Sequence, residues 1–307
     1  MSPFKWILLL FSVSFIAGCE ARGTNKVVVT TIHPIGEIIR EIAGTKAEVI
    51  VLAEPGHSPH TYQHKPSDAR NAKIADALFY VSDHLDGWVA ALDSDNKISL
   101  LNMLPEESIL YFDEHHEHNE VHHDHSHGKN DTISHKEEEV IDPHFWTDPL
   151  TVKAILPAIA DTLAAIDPDN AEIYRANARA YAKRLDILHR QVSDIISDVR
   201  GSKVYLFHPS FRYFLQRYKL IYSGSIEPSP GKEATPQTMA LIIDDIKASG
   251  VKAIFSEPQL SEKPAEIVSE SALVNVFVLD PIGGTEGKNT YADIILYNAR
   301  TLKKALI

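Results

Sequence analysis

Short β-branched runs recur along this 307-residue chain, and stretches with helical spacing lie between them. That alternation constrains the fold more than any other feature, because it implies βαβ units built on parallel sheets. The runs at 26–31 (KVVVTT), 49–52 and 78–81 read as buried strands, with a weaker one at 98–101. Helical patterns at 35–43, stopped by Gly44, and at 67–77 lie between them. After Asp167-Pro168 a single helix is predicted over about 169–200. Its apolar positions Tyr181, Leu185, Leu188, Val192, Ile195 and Val199 are spaced by three and four. A second set follows, with strands at 204–207, 251–255 and 274–279. A helix at 239–249 is announced by Thr235-Pro236 and closed by Gly250. The chain therefore reads as lobe, long helix, lobe, with no sequence repeat between the lobes.

The beginning of the chain points outside the cytoplasm. Lys5 precedes an apolar run from Trp6 to Ile16, which ends in Ile16-Ala17-Gly18-Cys19. This is a signal-peptide layout, and the run is too short to span a bilayer core of about 30 Å. No later stretch reads as long and apolar enough to span. Cys19 is the only cysteine, so an internal disulfide is excluded. Small residues before that cysteine resemble the bacterial lipobox, which implies lipid attachment at Cys19 and a membrane-anchored extracytoplasmic protein. The resulting division is 1–18 signal peptide, 19–26 tether, 27–166 N-terminal lobe, 167–201 linking helix and 202–307 C-terminal lobe. The net charge of −12 argues against nucleic acid as a partner and suits a protein that attracts cations.

Within the first lobe, 113–139 breaks the alternation. It holds His115, His116, His118, His122, His123, His125, His127 and His135 among many acids, with almost no apolar side chains. Such a composition cannot bury enough surface to order itself, and it reads as a disordered loop able to hold zinc weakly.

Four places set a metal-capable side chain beside turn chemistry. They are Glu54-Pro-Gly-His-Ser-Pro-His60-Thr-Tyr62, Asp142-Pro-His144-Phe-Trp146-Thr-Asp148-Pro149, His208-Pro-Ser-Phe-Arg-Tyr213-Phe214, and Asp280-Pro-Ile-Gly283-Gly284. His208 and Asp280 directly follow predicted strands, where open α/β sheets bind their ligands. His60 lies on the loop after a strand, and His144 on the approach to a helix. Neutral imidazole and carboxylate suit a divalent ion such as Zn²⁺, which takes four tetrahedral ligands. Each residue alone reads as an ordinary loop residue. His33 also follows a strand, His57 and His64 flank His60 as alternatives, and His84 and His189 read as surface residues.

These motifs, with Phe255-Ser-Glu257-Pro-Gln259-Leu-Ser261, resemble those of the cluster A-I (cluster 9) solute-binding proteins of bacterial zinc and manganese ABC importers. The order of all five, and a His-rich insert between the first and second, carry the resemblance over essentially everything after the tether. It implies an α/β fold of two lobes, each a small parallel sheet wrapped by helices, joined by one long rigid helix. It implies His60, His144, His208 and Asp280 as metal ligands, one tight Zn²⁺, and delivery of that ion to an ABC importer membrane permease by a monomer that does no catalysis. Glu257 reads as a residue that orients its neighbours. Ser58 and His64 depart from the family pattern, which has an acid and a proline there. The alternatives are a manganese-binding homologue, a zinc-dependent hydrolase and a surface adhesin. A hydrolase would need an open coordination position and a nearby base, and an adhesin would leave the four motifs unexplained.

Overall fold

In the computed structural model, residues 26–112, 140–227 and 234–307 are described. The chain begins there with β1 (Lys26–Thr30), whose Val28 and Val29 are wholly buried. Each such side chain contributes about 1.5–3 kcal/mol by leaving water. Helix α1 (His33–Ala43) follows; Ile35, Ile38, Ile39 and Ile42 form the stripe it buries, and Gly44 closes it at φ 57°. Then come β2 (Ala47–Val51), α2 (Pro66–Ile74), β3 (Ala77–Tyr80), the single turn α3 (Asp83–Asp86) and β4 (Lys97–Ser99). These strands form one parallel sheet in the order β2-β1-β3-β4.

An isolated antiparallel bridge, Tyr111 to Ile141, brings the chain back to its own path on either side of 113–139. It is reinforced by Phe112 N–H to Val140 O (2.8 Å) and Asp142 N–H to Leu110 O (2.8 Å). The His-rich segment itself lies outside the described residues, as does Cys19. Helix α4 (Pro149–Ile166) opens on Asp148, which accepts from Leu150 N–H at 3.1 Å and from the Thr151 hydroxyl at 2.7 Å. This helix corrects the sequence reading. It is 18 residues long and apolar enough to span a membrane by length and composition, but half of it is buried in the protein core.

Helix α5 (Ala171–Ile196) is shorter than predicted. Its 26 residues are flanked by 3-10 turns at Pro168–Asn170 and Ser197–Val199, so the regular helix spans about 39 Å. Its buried stripe is Tyr174, Ala178, Tyr181, Leu185, Leu188, Val192 and Ile196. Ile196 joins the buried face, and the predicted Ile195 packs half-buried against the same core. The helix packs on α4 and α1 and also on the C-terminal helix.

The second half runs β5 (Lys203–Leu206), α6 (Arg212–Tyr218), β6 (Ile221–Ser225), α7 (Pro236–Ser249), β7 (Ala253–Ser256), α8 (Glu262–Ala272), β8 (Asn275–Val278) and α9 (Tyr291–Leu306). Its sheet is parallel in the order β6-β5-β7-β8, the winding of the first sheet repeated. Two lobes that share no sequence repeat thus share a topology. Thr235 caps α7 by accepting from Thr238 N–H at 3.2 Å, and Gly250 ends it at φ 69°, as the sequence predicted. One apolar core cluster runs from Val28 and Ile35 through Tyr181 and Leu188 to Val204, Phe255 and Leu302. The lobes are therefore continuous with each other through α5, and the carboxyl-end loops of both sheets are held in fixed relation.

Candidate metal centre

His60 reaches the centre from the loop after β2. Tyr62 pins that loop by donating its hydroxyl to Leu52 O (3.0 Å) and to Asp68 Oδ2 (2.9 Å), and Trp88 donates its indole N–H to Pro59 O at 3.1 Å. His144 sits at the start of a 3-10 turn before α4 and is buried. Its Nδ1 lies 2.8 Å from Asp142 Oδ1, which also accepts the backbone N–H of His144 at 3.0 Å. His208 follows β5, one of the two strands between which the order of the second sheet reverses. Its Nδ1 faces Glu227 O at 3.3 Å.

The partners of Nδ1 decide what Nε2 does. A carboxylate and a carbonyl only accept, so Nδ1 of His144 and of His208 carries the hydrogen. In a neutral ring each Nε2 is then the nitrogen that can ligate a metal. Those two atoms lie 3.2 Å apart, and His144 Nε2 is also 3.2 Å from His60 Nε2. The three rings converge with centroids 4.9 to 5.3 Å apart. Lone pairs brought face to face repel unless a cation lies between them. Nitrogens about 2.05 Å from a tetrahedral Zn²⁺ stand about 3.3 Å from one another, so the observed spacing fits that ion. Burial, with His144 beside it, depresses the His60 imidazole to about 3, which keeps it in the neutral form that a metal requires.

The rings open into a narrow cavity of about 10 Å³, room for one water-sized sphere. Trp146, Ser210, Glu257 and Gln259 also line it. Trp146 is fixed by its N–H to Pro281 O (2.8 Å) and by accepting the Tyr291 hydroxyl at 2.7 Å, which ties the first lobe to the second. Glu257 follows β7 and accepts the Ser210 hydroxyl at 2.6 Å. Burial raises the Glu257 carboxyl to about 8; Asp280 pushes it further up, and the Ser210 hydroxyl opposes the rise. Gln259 leaves its amide oxygen buried without a hydrogen-bond partner among the described residues.

Asp280 follows β8, and its neighbours Pro281 and Ile282 line the cavity. Its carboxylate, however, is engaged elsewhere. Oδ1 accepts from Ile282 N–H (3.1 Å), Gly283 N–H (2.9 Å) and the Gln259 amide (2.8 Å), while Oδ2 meets the Lys288 ammonium at 2.5 Å. Burial raises the Asp280 carboxyl, but these donors outweigh it and hold the group below its ordinary value. The structure thus gathers His60, His144 and His208 within ligand distance of one another and sets Asp280 beside them with its own partners.

The other histidines lie apart. His33 contacts Asn289 O at 2.8 Å across the lobes, and His57 turns back to Glu54 O at 3.2 Å. His64 and His84 are exposed, and His189 is half-buried against the Tyr218 ring at 5.5 Å rather than on the surface. Two residues of the centre escaped the sequence reading. Asp142 had a signal, since an acid two residues before a metal-capable histidine can reach its Nδ1. Lys288 had none, lying in a polar turn eight residues past Asp280.

A family model described as zinc-uptake complex component A, periplasmic, matches residues 28–305. The zinc-binding protein AdcA of Streptococcus pyogenes is 28% identical over 295 residues, 92% of this chain and 56% of that protein. The chain thus spans about half the length of that relative. The high-affinity zinc uptake system protein ZnuA of Brucella abortus is 29% identical over 330 residues, covering 97% of this chain and 98% of its own. The manganese-binding lipoprotein MntA of Halalkalibacterium halodurans is 25% identical over 317 residues, covering 99% and 98%. A crystal structure of ZnuA superposes with a TM-score of 0.74 at 25% identity, covering 92% of this chain and all of that one.

Proposed function

This chain belongs to the zinc-uptake complex component A family, and on that premise we propose that it captures one zinc ion outside the cytoplasm and hands it to the membrane permease of an ABC importer. The observation that carries the reading is the convergence of three imidazoles, with His144 Nε2 3.2 Å from both His60 Nε2 and His208 Nε2 and all three ligand nitrogens within 4.8 Å of one another. His60, His144 and His208 hold the ion, and Asp280 completes the set. Four protein ligands close a tetrahedral site and leave no coordination position for a reacting water, which sets the centre apart from a zinc hydrolase. The relatives named above are themselves binding and uptake proteins.

Zinc is favoured over manganese because three nitrogens and one oxygen suit Zn²⁺, whereas Mn²⁺ prefers oxygen-rich, higher coordination. The eight histidines at 115–135 form an accessory collector of weak, interchangeable pairs, outside the tight site. Cys19 carries the lipid that holds a monomer at the membrane.

The test is metal analysis of protein purified without added metal, followed by competition against a chromophoric zinc chelator. One zinc per chain, held more tightly than by the chelator and lost on His60→Ala/His144→Ala/His208→Ala, is the expected result. A chain that binds no zinc, or whose tight zinc survives the triple substitution, overturns the reading.

A further inference from the structure

The turn that follows β8 holds two opposite charges where a metal ligand is proposed. Asp280 Oδ1 is saturated by two backbone N–H groups and the Gln259 amide. Among the described residues Oδ2 has a single partner, the Lys288 ammonium at 2.5 Å, and the Asp280 and Lys288 side chains are 2% and 14% exposed. Lys288 is brought back to Asp280 by a built turn. Gly284 N–H donates to Lys288 O at 2.8 Å, and Lys288 N–H donates to Thr285 O at 2.9 Å. Gly283 adopts φ 65°, and a Cβ there would fall 2.4 Å from Ile294 Cγ1 and 2.9 Å from Lys288 O. Only glycine lets the turn close so tightly. The ammonium also lies 4.8 Å from the centre of the Tyr297 ring, a second resting place of cation–π type.

A buried carboxylate needs a countercharge. Lys288 supplies it here. A dication entering among the histidines brings a stronger positive charge to the same side chain. Two cations drawn to one carboxylate oxygen repel each other, so the arriving ion weakens the hold of Oδ2 on the ammonium.

We propose that Lys288 is a displaceable counter-cation: it neutralises Asp280 in the ion-free protein and yields Oδ2 to the captured ion, and so sets the affinity of the site. This rests on the reading that Asp280 completes the ligand set. The ion and the ammonium compete for one oxygen, so capture drives Lys288 towards Tyr297 and solvent. Its return helps expel the ion. A carrier that must hand its cargo on gains from such a competitor, because a fully preformed site would hold the ion more tightly. The same turn touches the other lobe, where Gly284 abuts Pro55 and His33 meets Asn289 O.

The experiment needs two readouts. In the parent protein, amine labelling followed by mass spectrometry compares Lys288 before and after one equivalent of zinc; labelling rises if the ammonium is displaced. Zinc affinity is then measured by chelator competition for Lys288→Met, Asp280→Asn and the double variant. Freeing Asp280 of a charge-assisted hydrogen bond tightens zinc in Lys288→Met by roughly tenfold to hundredfold. In the Asp280→Asn background the same substitution changes nothing, as a double-mutant cycle requires of a residue acting through Asp280. A lysine that merely braced the turn would leave labelling unchanged and would leave affinity equal or weaker in both backgrounds. That result overturns the swap while the parent still binds zinc. A parent that binds no zinc overturns the transport reading itself.

Discussion

His60 Nε2 and His144 Nε2 face each other at 3.2 Å although they lie 84 positions apart in the chain. His144, with its Nδ1 hydrogen committed to Asp142, has only a lone pair to present. A cation between them removes the repulsion. His144→Ala is therefore expected to weaken zinc by more than about 100-fold, beyond the 10–100-fold typical of residues that only orient a ligand. Chelator competition measures it, with circular dichroism to verify the fold. Parental affinity in the variant would remove His144 from the centre.

Asp142 acts through His144. It fixes the ring, selects the tautomer and raises the basicity of Nε2, while the guanidinium of Arg212 stands 3.7 Å from its other oxygen. Asp142→Asn keeps the shape and removes the charge. The expected loss is about 10–100-fold in zinc affinity, smaller than for His144→Ala. A loss as large as that of the alanine variant would mean that Asp142 holds the turn together rather than tuning the ligand.

The strands of this protein were legible because parallel sheets bury both faces, so Val27 to Val29 and Ala253 to Phe255 read as apolar runs. β6 was not legible: it is an edge strand reading Ile-Tyr-Ser-Gly-Ser, whose polar residues look like a turn. Helices α8 and α9 were also missed, although the capping box of Thr290 with Asp293 was there to be read. The predicted helix over 67–77 ran past the true end of α2 at Ile74, because alanines continue a helical pattern as readily as they begin β3. At the candidate site the histidines stood beside strand ends and turns, where local pattern finds them. The pairing of Asp280 with Lys288 depends on a turn closed by Gly283 and Gly284, and no spacing rule announces it.

Glu257 gives the ion-free protein a pH signature. Its folded value of about 8 lies above the ordinary 4.5, chiefly through burial. A raised value means that the fold favours the protonated form. The group's contribution to stability is therefore complete below about 4.5 and is lost as pH rises through 8. Glu257→Gln keeps an acceptor for the Ser210 hydroxyl and cannot ionise. The variant should match the parent near pH 4.5 and exceed it increasingly towards pH 8, by at most about 1.4 kcal/mol per pH unit. Urea unfolding of both proteins at several pH values measures the gap. A constant gap would mean that Glu257 is already ionised in the fold.

Deleting 114–136 tests the division of labour between the His-rich segment and the centre. The bridge between Tyr111 and Ile141 already brings the flanking chain together, so a short connection can replace the segment. Total bound zinc should fall while one tight site per chain remains. Loss of the tight site would move the cargo ion onto the deleted histidines.

His208 is the residue at which the proposed preference for zinc can be tested. In the proposed site three imidazoles and a carboxylate form a nitrogen-rich set. Manganese prefers oxygen donors and stands low in the Irving–Williams order. The parent should therefore select zinc over manganese by at least about 100-fold. His208→Glu exchanges a nitrogen for an oxygen at the carboxyl end of β5, adds a negative charge beside Glu257, and should narrow that ratio. Cu²⁺ should bind at least as tightly as zinc in vitro, since it stands higher in the same series. The preference must therefore be read from zinc and manganese competing for the same protein. If the parent prefers manganese, the nitrogen-rich set is not what holds the ion. If His208→Glu leaves the ratio unchanged, His208 lies near the ion without touching it.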